Sequence, residues 1–192
     1  MPQEELERIL EFISRAENLK NTLRHAFTSQ GRQESTAEHS WRLCLLLMAC
    51  AHRFPNLQLE KMLKIAIVHD LAEAICGDTP APAQGEHEIK AANERHALTE
   101  LAQELPEGVK NELLQLWEEY ECASSGEAKC VKAFDKLETL IQHNQGRNPR
   151  DFDYAFNLTY GLEQTNANDT ARRMRRFVDA NTKRLLESSQ TA

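Results

Sequence analysis

Ile65-Ala66-Ile67-Val68-His69-Asp70-Leu71-Ala72-Glu73-Ala74-Ile75-Cys76-Gly77-Asp78 is the stretch whose reading decides the fold. It belongs to a segment, from about Leu59 to Cys76, that is apolar nearly all round, with Met62, Leu63, Ile65, Ala66, Ile67, Leu71, Ala74 and Ile75. A helix with no polar face to turn to water is predicted to lie at the centre of the molecule. Gly77 fits the glycine that commonly follows a helix end. The polar pair His69-Asp70 must be satisfied if it is buried there. Helical spacing puts Glu73, four residues after His69 and three after Asp70, on the same face. Asp78 follows just past the end. Imidazole and carboxylate together suit a divalent transition ion, but two adjacent residues cannot surround one, so other helices must bring further ligands. The plainer alternative is a histidine and an aspartate hydrogen-bonded to each other in the core.

Outward from this segment the pattern stays helical. Seven glycines and six prolines punctuate 192 residues, and no run shows clear period-2 alternation. A first helix is expected from about Glu4 to Phe27, then a polar loop from Thr28 to Glu34. Ser35-Thr36-Ala37-Glu38 fits a capping box, which places His39 in the first turn of the helix it opens. Trp41, Leu45, Met48 and Ala51 share one face of that helix, and Trp41 and Trp117 read as core. Thr79-Pro80-Ala81-Pro82 forces an extended stretch. Helices follow over about Glu86 to Leu105, Glu107 to Tyr120, Glu127 to Gln145, Phe152 to Tyr160 and Thr170 to Leu186, with Glu163 to Asp169 as a loop. Asp135, in Val131-Lys132-Ala133-Phe134-Asp135, sits at the edge of an apolar face that should point inward. His39 and Asp135 are therefore the candidates to complete a set with His69 and Asp70.

Composition narrows the function. Lys and Arg number 23 against 30 acids, a net charge of −7, the opposite of what a nucleic-acid polymer attracts. The longest apolar run, Leu43 to Ala51, is half of the ~20 residues needed to span a bilayer, so no membrane partner is expected. The acidic Met1-Pro2-Gln3-Glu4-Glu5 start does not read as a signal peptide, which points to the cytoplasm. Five cysteines with no C-x-x-C pair read as reduced thiols acting as small hydrophobes. His52, His87, His96 and His143 read as surface or packing residues. Arg172, Arg173, Arg175 and Arg176 read as a solvated basic face.

The ordered series His39, His69-Asp70, Asp135 resembles the signature of the HD-domain metal-dependent phosphohydrolases. Val68 to Pro82 is similar to the central block of their 5′-deoxynucleotidase branch. So are Leu116-Trp117-Glu118-Glu119-Tyr120-Glu121, Glu127-Ala128-Lys129 with Val131-Lys132, and Arg24 followed by Arg32-Gln33-Glu34-Ser35-Thr36-Ala37-Glu38-His39. The resemblance runs from about Leu19 to Gln142. It implies an all-α, single HD-domain helical bundle over 1–192, with a central buried helix carrying the His-Asp pair and C-terminal helices packed on it.

The resemblance also implies roles. His39, His69, Asp70 and Asp135 would hold one divalent ion, manganese or cobalt or a similar transition ion. Glu73 would act as general base on the attacking water, Asp78 would support the reacting centre and bind the sugar, and Arg24 would clamp the phosphate. The implied reaction is hydrolysis of (deoxy)nucleoside 5′-monophosphates by a homodimer. Where the branch has a tryptophan after the arginine, beside the sugar, this chain has His25, with Phe27 the nearest aromatic. Tolerance of a 2′-hydroxyl is the expected consequence. Two alternatives stay open: an HD phosphohydrolase acting on a triphosphate, an alarmone or a cyclic nucleotide, and a non-catalytic HD nucleotide-binding module. The absence of a GYP-type extension and of an HD-x-x-E-D pattern, since Ala74 follows Glu73, argues against two of the former.

Overall fold

The computed structural model describes residues 2–79 and 87–190, and its regular structure is nearly all helical. Helix α1 (Gln3–Ala16) runs into a 3₁₀ turn (Glu17–Lys20), and a short hairpin of β1 (Leu23–Phe27) and β2 (Gln33–Ser35) follows. Then come α2 (Thr36–Cys50), α3 (Leu59–Val68), α4 (Glu73–Cys76) and α5 (His87–Leu101). The chain continues through α6 (Glu107–Glu121), α7 (Gly126–Gln145), α8 (Tyr154–Asn157), α9 (Leu162–Asn166) and α10 (Asp169–Gln190). The expected extended stretch around Pro80 to Pro82, and the side chain of His87, lie outside the described residues.

The expected helix from Glu4 to Phe27 ends at Ala16. Residues Leu23 and Phe27 pair antiparallel with Ser35 and Gln33 instead, around a turn in which Thr28 N–H donates to Arg32 O at 2.8 Å. Gly31, at φ +89°, supplies the left-handed residue that this turn needs. A partner strand outweighed local helix propensity, which is a weak preference. The hairpin sets Arg24 and His25 beside the helical core.

The segment from Leu59 to Cys76 is not one helix. Helix α3 stops at Val68, and His69 to Ala72 form tight turns in which Leu71 N–H donates to Val68 O and Glu73 N–H to Asp70 O, both at 3.0 Å. The His-Asp pair thus occupies the junction between α3 and α4 rather than mid-helix. Turns of this kind re-aim successive side chains more sharply than a straight helix does. Met62, Ile65, Ala66 and Val68 are buried as expected, but Ile67 is exposed.

Helix α7 is the most enclosed element, carrying Val131, Phe134, Leu137 and Leu140 in full burial, and α2, α3 and α10 pack on it. The Ser35–Glu38 capping box is present, with Ser35 Oγ accepting from Glu38 N–H and the Glu38 side chain accepting from Ser35 N–H. Helix α2 turns His39, Ser40, Leu43 and Leu47 inward. Its other apolar stripe faces out: Trp41 is 63%, Leu45 44% and Met48 54% exposed, which corrects the assignment of Trp41 to the core. Only one of the two stripes can face α7, and the one bearing His39 does. Trp117 is buried.

The C-terminal region departs from expectation in two places. The stretch read as a loop contains α9, and the expected helix over Phe152 to Tyr160 shrinks to the single turn of α8. Arg175 is buried, not solvated: its guanidinium donates to Asn157 O and Tyr160 O, each at 2.7 Å, and pairs with Asp179 at 2.6 Å. The carbonyl of Asn157 at the end of α8 and that of Tyr160 in the turn after it draw the cation inward there. Arg172, Arg173 and Arg176 are exposed as expected. All five cysteines are free, Cys130 buried but Cys76 and Cys122 exposed, so the last two do not pack as small hydrophobes.

Candidate active site

Helix α2 delivers His39, the α3–α4 junction delivers His69, Asp70 and Glu73, and α7 delivers Asp135. His39 Nε2 lies 3.1 Å from Asp135 Oδ1 and 3.8 Å from Asp70 Oδ2, and His69 Nε2 lies 3.1 Å from Asp70 Oδ2. The two imidazoles are 5.5 Å apart between centroids. One ligand atom each from His39, His69 and Asp70 falls within 4.8 Å of the others.

The tautomers follow from the outer faces of the rings. His69 Nδ1 sits 2.9 Å from the Ala66 carbonyl, which can only accept, so Nδ1 carries the proton and Nε2 keeps its lone pair. His39 Nδ1 meets the Glu138 carboxylate, which fixes its tautomer in the same way. Both Nε2 atoms are then buried without a hydrogen bond, despite lying beside carboxylates. Two orphaned lone pairs and two carboxylate groups in one small space fit a divalent cation of borderline character. The electrostatics agree. Burial and Arg24 lower the His39 pKa, but Glu138 and Asp135 outweigh them and lift it to about 10, so the surroundings of His39 demand positive charge. Asp70 is held well below the ordinary carboxylate range: burial opposes this, but His69, His39 and Arg24 prevail.

An outer layer holds these side chains in place. Asp135 Oδ2 accepts from the Tyr120 hydroxyl at 2.6 Å and from Lys136 Nζ at 2.9 Å. Arg24 lies 3.4 Å from Asp70 Oδ2, donates to Thr139 Oγ1 at 3.1 Å and approaches Glu34 at 3.5 Å. Thr36 Oγ1 donates to Glu73 Oε2 at 2.9 Å. Burial, then the charges of Asp70 and Asp78, push the Glu73 carboxyl up to about 9, so positive charge beside it is needed to hold it as the ionised carboxylate that can accept a proton. Glu138, Tyr120, Lys136 and Thr139 were not singled out from the sequence. An acid three residues after Asp135, flanked by Leu137 and Leu140, was the signal that could have found Glu138. Glu138→Gln is expected to weaken divalent-ion affinity ~10- to 100-fold through loss of orientation at His39, read by equilibrium metal titration.

His69, Asp70, Asp135, Glu73, Asp78, Arg24 and His25 all line a cavity of about 510 Å³. The structure thus brings together every residue the sequence proposed for the site, with His39 sealed behind it at 0% exposure. His25, exposed, lines this cavity, whereas Phe27 does not and touches it only by an edge contact with His25 at 6.4 Å. Of the remaining histidines, His52 and His96 are exposed, and His143 is buried, lines the cavity and pairs with Asn157 at 2.8 Å.

Such a bundle, with an N/O ligand cluster opening on a cavity, defines the HD-domain class, and the chain belongs to the HD domain family, whose profile matches residues 16–175. Within that class it is similar to the 5′-deoxynucleotidase HDDC2 of Homo sapiens, at 36% identity over 71% of this chain and 67% of that protein. It is also similar to the 5′-deoxynucleotidase hdd1 of Schizosaccharomyces pombe, at 37% identity over 70% of each. A solved structure described as a predicted metal-dependent phosphohydrolase, from Magnetospirillum magnetotacticum, superposes with a TM-score of 0.81 at 26% identity over 96% of both chains. Among the described residues no helix is long and apolar enough to cross a membrane.

Proposed function

We propose that this chain is a metal-dependent 5′-nucleotidase that hydrolyses (deoxy)nucleoside 5′-monophosphates to nucleoside and phosphate. The observation that carries the reading is the pair of buried, unpartnered Nε2 atoms set against carboxylates that line a nucleotide-sized cavity. Similarity to proteins named 5′-deoxynucleotidases supports the substrate class. A divalent ion held by His39, His69, Asp70 and Asp135 would lower the pKa of a water and neutralise phosphoryl charge. Manganese and cobalt suit the mixed set.

The chain's own groups do the rest. Glu73, one oxygen fixed by Thr36, accepts the proton of the attacking water as the water oxygen bonds to phosphorus and the bond to the 5′-oxygen breaks, and the departing 5′-oxygen takes up a proton from solvent to leave as the nucleoside hydroxyl. Arg24 braces Asp70 and presents its charge to the phosphate. Asp78, lining the cavity beside Glu73, raises the basicity of Glu73 and contacts the sugar. The whole chain works as one domain, in the cytoplasm, without a nucleic-acid or membrane partner. The outward stripe of Trp41, Leu45 and Met48 is an apolar surface suited to pairing two copies into a homodimer.

A metal-supplemented screen of nucleoside monophosphates, triphosphates, cyclic nucleotides and alarmones, read as released phosphate, tests the reading. Release from monophosphates supports it. Release from another class alone would replace it, and nucleotide binding without release would make the chain a binding module. Sugar selectivity is tested on matched AMP and dAMP. A tryptophan beside the sugar leaves a 2′-hydroxyl desolvated and unpaired at ~1–3 kcal/mol, whereas His25 can pair with it. The wild type is therefore expected to treat the two substrates nearly alike, and His25→Trp to shift kcat/KM towards dAMP by ~5- to 150-fold. A strong wild-type preference for dAMP, unchanged by the substitution, would refute this.

A further inference from the structure

One wall of the cavity is built by residues that the metal cluster does not use. Beyond α7, Phe152, Phe156 and Tyr160 line it. The chain holds seven phenylalanines, three tyrosines and two tryptophans, and four of these lie in the nine residues 152–160. Phe156 and Tyr160 stack with centroids 5.2 Å apart and planes at 30°. Phe152 meets His143 and Tyr154 edge-on, at 5.0 and 4.9 Å.

This wall is tied to the reacting end by one side chain. Lys136 Nζ lies 2.9 Å from Asp135 Oδ2 and 5.3 Å from the centroid of the Tyr160 ring. The loop after α8 rests directly on Lys136: a Cβ added to Gly161, at φ +65°, would fall 2.6 Å from Lys136 Cβ. From behind, Arg175 holds the carbonyls of Asn157 and Tyr160, and Asn157 holds His143. Side chains placed this way keep flat apolar rings against the cavity at little further loss of freedom on binding.

The geometry points to a nucleobase subsite at Phe156, with Phe152 beside it and Tyr160 supporting it from the stack. This rests on the phosphohydrolase reading and extends it from the phosphate to the other end of the substrate. Stacking accepts any base, because every base has a π-face. The subsite therefore separates nucleotides from base-free sugar phosphates and chooses weakly among bases. Asp153, also on this wall, accepts the N–H groups of Ala155 and Phe156 on its Oδ1 at the start of α8, and so helps to set the position of Phe156.

The test compares kcat/KM for dAMP with that for 2-deoxyribose 5-phosphate, alongside saturation-transfer NMR with deoxyadenosine, which carries no phosphate. The wild type is expected to favour dAMP by about 5- to 150-fold, the usual range for one stacked base. Phe156→Ala should bring the ratio near one through KM, and Phe156→Trp should keep it. Deoxyadenosine should receive saturation mainly at its base protons, and lose it in Phe156→Ala. Equal use of both substrates by the wild type, or a ratio untouched by Phe156→Ala, overturns the subsite and leaves the phosphatase intact. Base-proton transfer that depends on Phe156, with no phosphate released from either substrate, supports the subsite and overturns the phosphatase.

Discussion

Asp70→Ala is expected to give a folded protein that neither retains a divalent ion nor releases phosphate above the level of a chelated sample. Asp70 is the hub of the cluster: its Oδ2 stands 3.1 Å from His69 Nε2, 3.4 Å from Arg24 and 3.8 Å from His39 Nε2. Removing it leaves two imidazoles and one carboxylate, and it leaves the positive Arg24 closer in effect to the ion. Changes to groups that merely support a ligand cost ~10- to 100-fold in metal affinity, so losing a ligand should cost more. Folding should survive because Arg24 retains Thr139 and Glu34, and the core around α7 is untouched. Metal analysis after dialysis, with released phosphate before and after added manganese or cobalt, checks this. Full activity in Asp70→Ala, or in wild-type protein stripped by chelator, would end the metal-dependent reading.

Glu73→Ala should behave differently. Its metal content is expected to stay at the wild-type level while turnover falls by ~10²- to 10⁴-fold, the usual worth of a positioned base. The distinction is geometric. Glu73 is bonded to Thr36, while the ligand atoms that cluster belong to His39, His69 and Asp70. Glu73 lines the cavity beside Asp70, so its loss removes a proton acceptor from the reacting centre. A metal-free Glu73→Ala protein would reassign Glu73 as a ligand.

Glu138 and Arg175 show why part of the site escaped sequence reading. Both are charged residues in helices, and most such residues are solvated. Each is instead buried because a particular partner sits on another element: the His39 ring on α2 for Glu138, and the carbonyls of Asn157 and Tyr160 at and just after the end of α8 for Arg175. The acid set between Leu137 and Leu140 hints that Glu138 is buried but does not name its partner on α2, and Asp179, four residues after Arg175, makes that arginine read as half of a solvated pair. The aromatic wall was missed for a related reason. Phe152, Phe156 and Tyr160 are ordinary helix or loop residues until the α8 region folds back over Lys136.

What the sequence determined by itself is local or combinatorial. The Ser35–Glu38 capping box and the extents of α6 and α7 were legible, as was a candidate set of His39, His69, Asp70 and Asp135, whose side chains the fold brings close together. They depend on short-range hydrogen bonds, 3.6-residue periodicity and the chemistry of a few residue types. What the tertiary structure decided is every choice between locally equivalent options. Leu23 to Phe27 became a strand because Gln33 to Ser35 offered it a ladder. Helix α2 has apolar residues on two sides, and it turned His39, Leu43 and Leu47 inward and Trp41, Leu45 and Met48 outward because only the first set meets α7 and its Asp135. The break after Val68 was likewise not legible locally, and the turns that follow it set His69, Asp70 and Glu73 along one cavity. Local energies of a few tenths of a kcal/mol per residue cannot settle such choices, whereas burial and pairing, at ~1–3 kcal/mol per side chain, can.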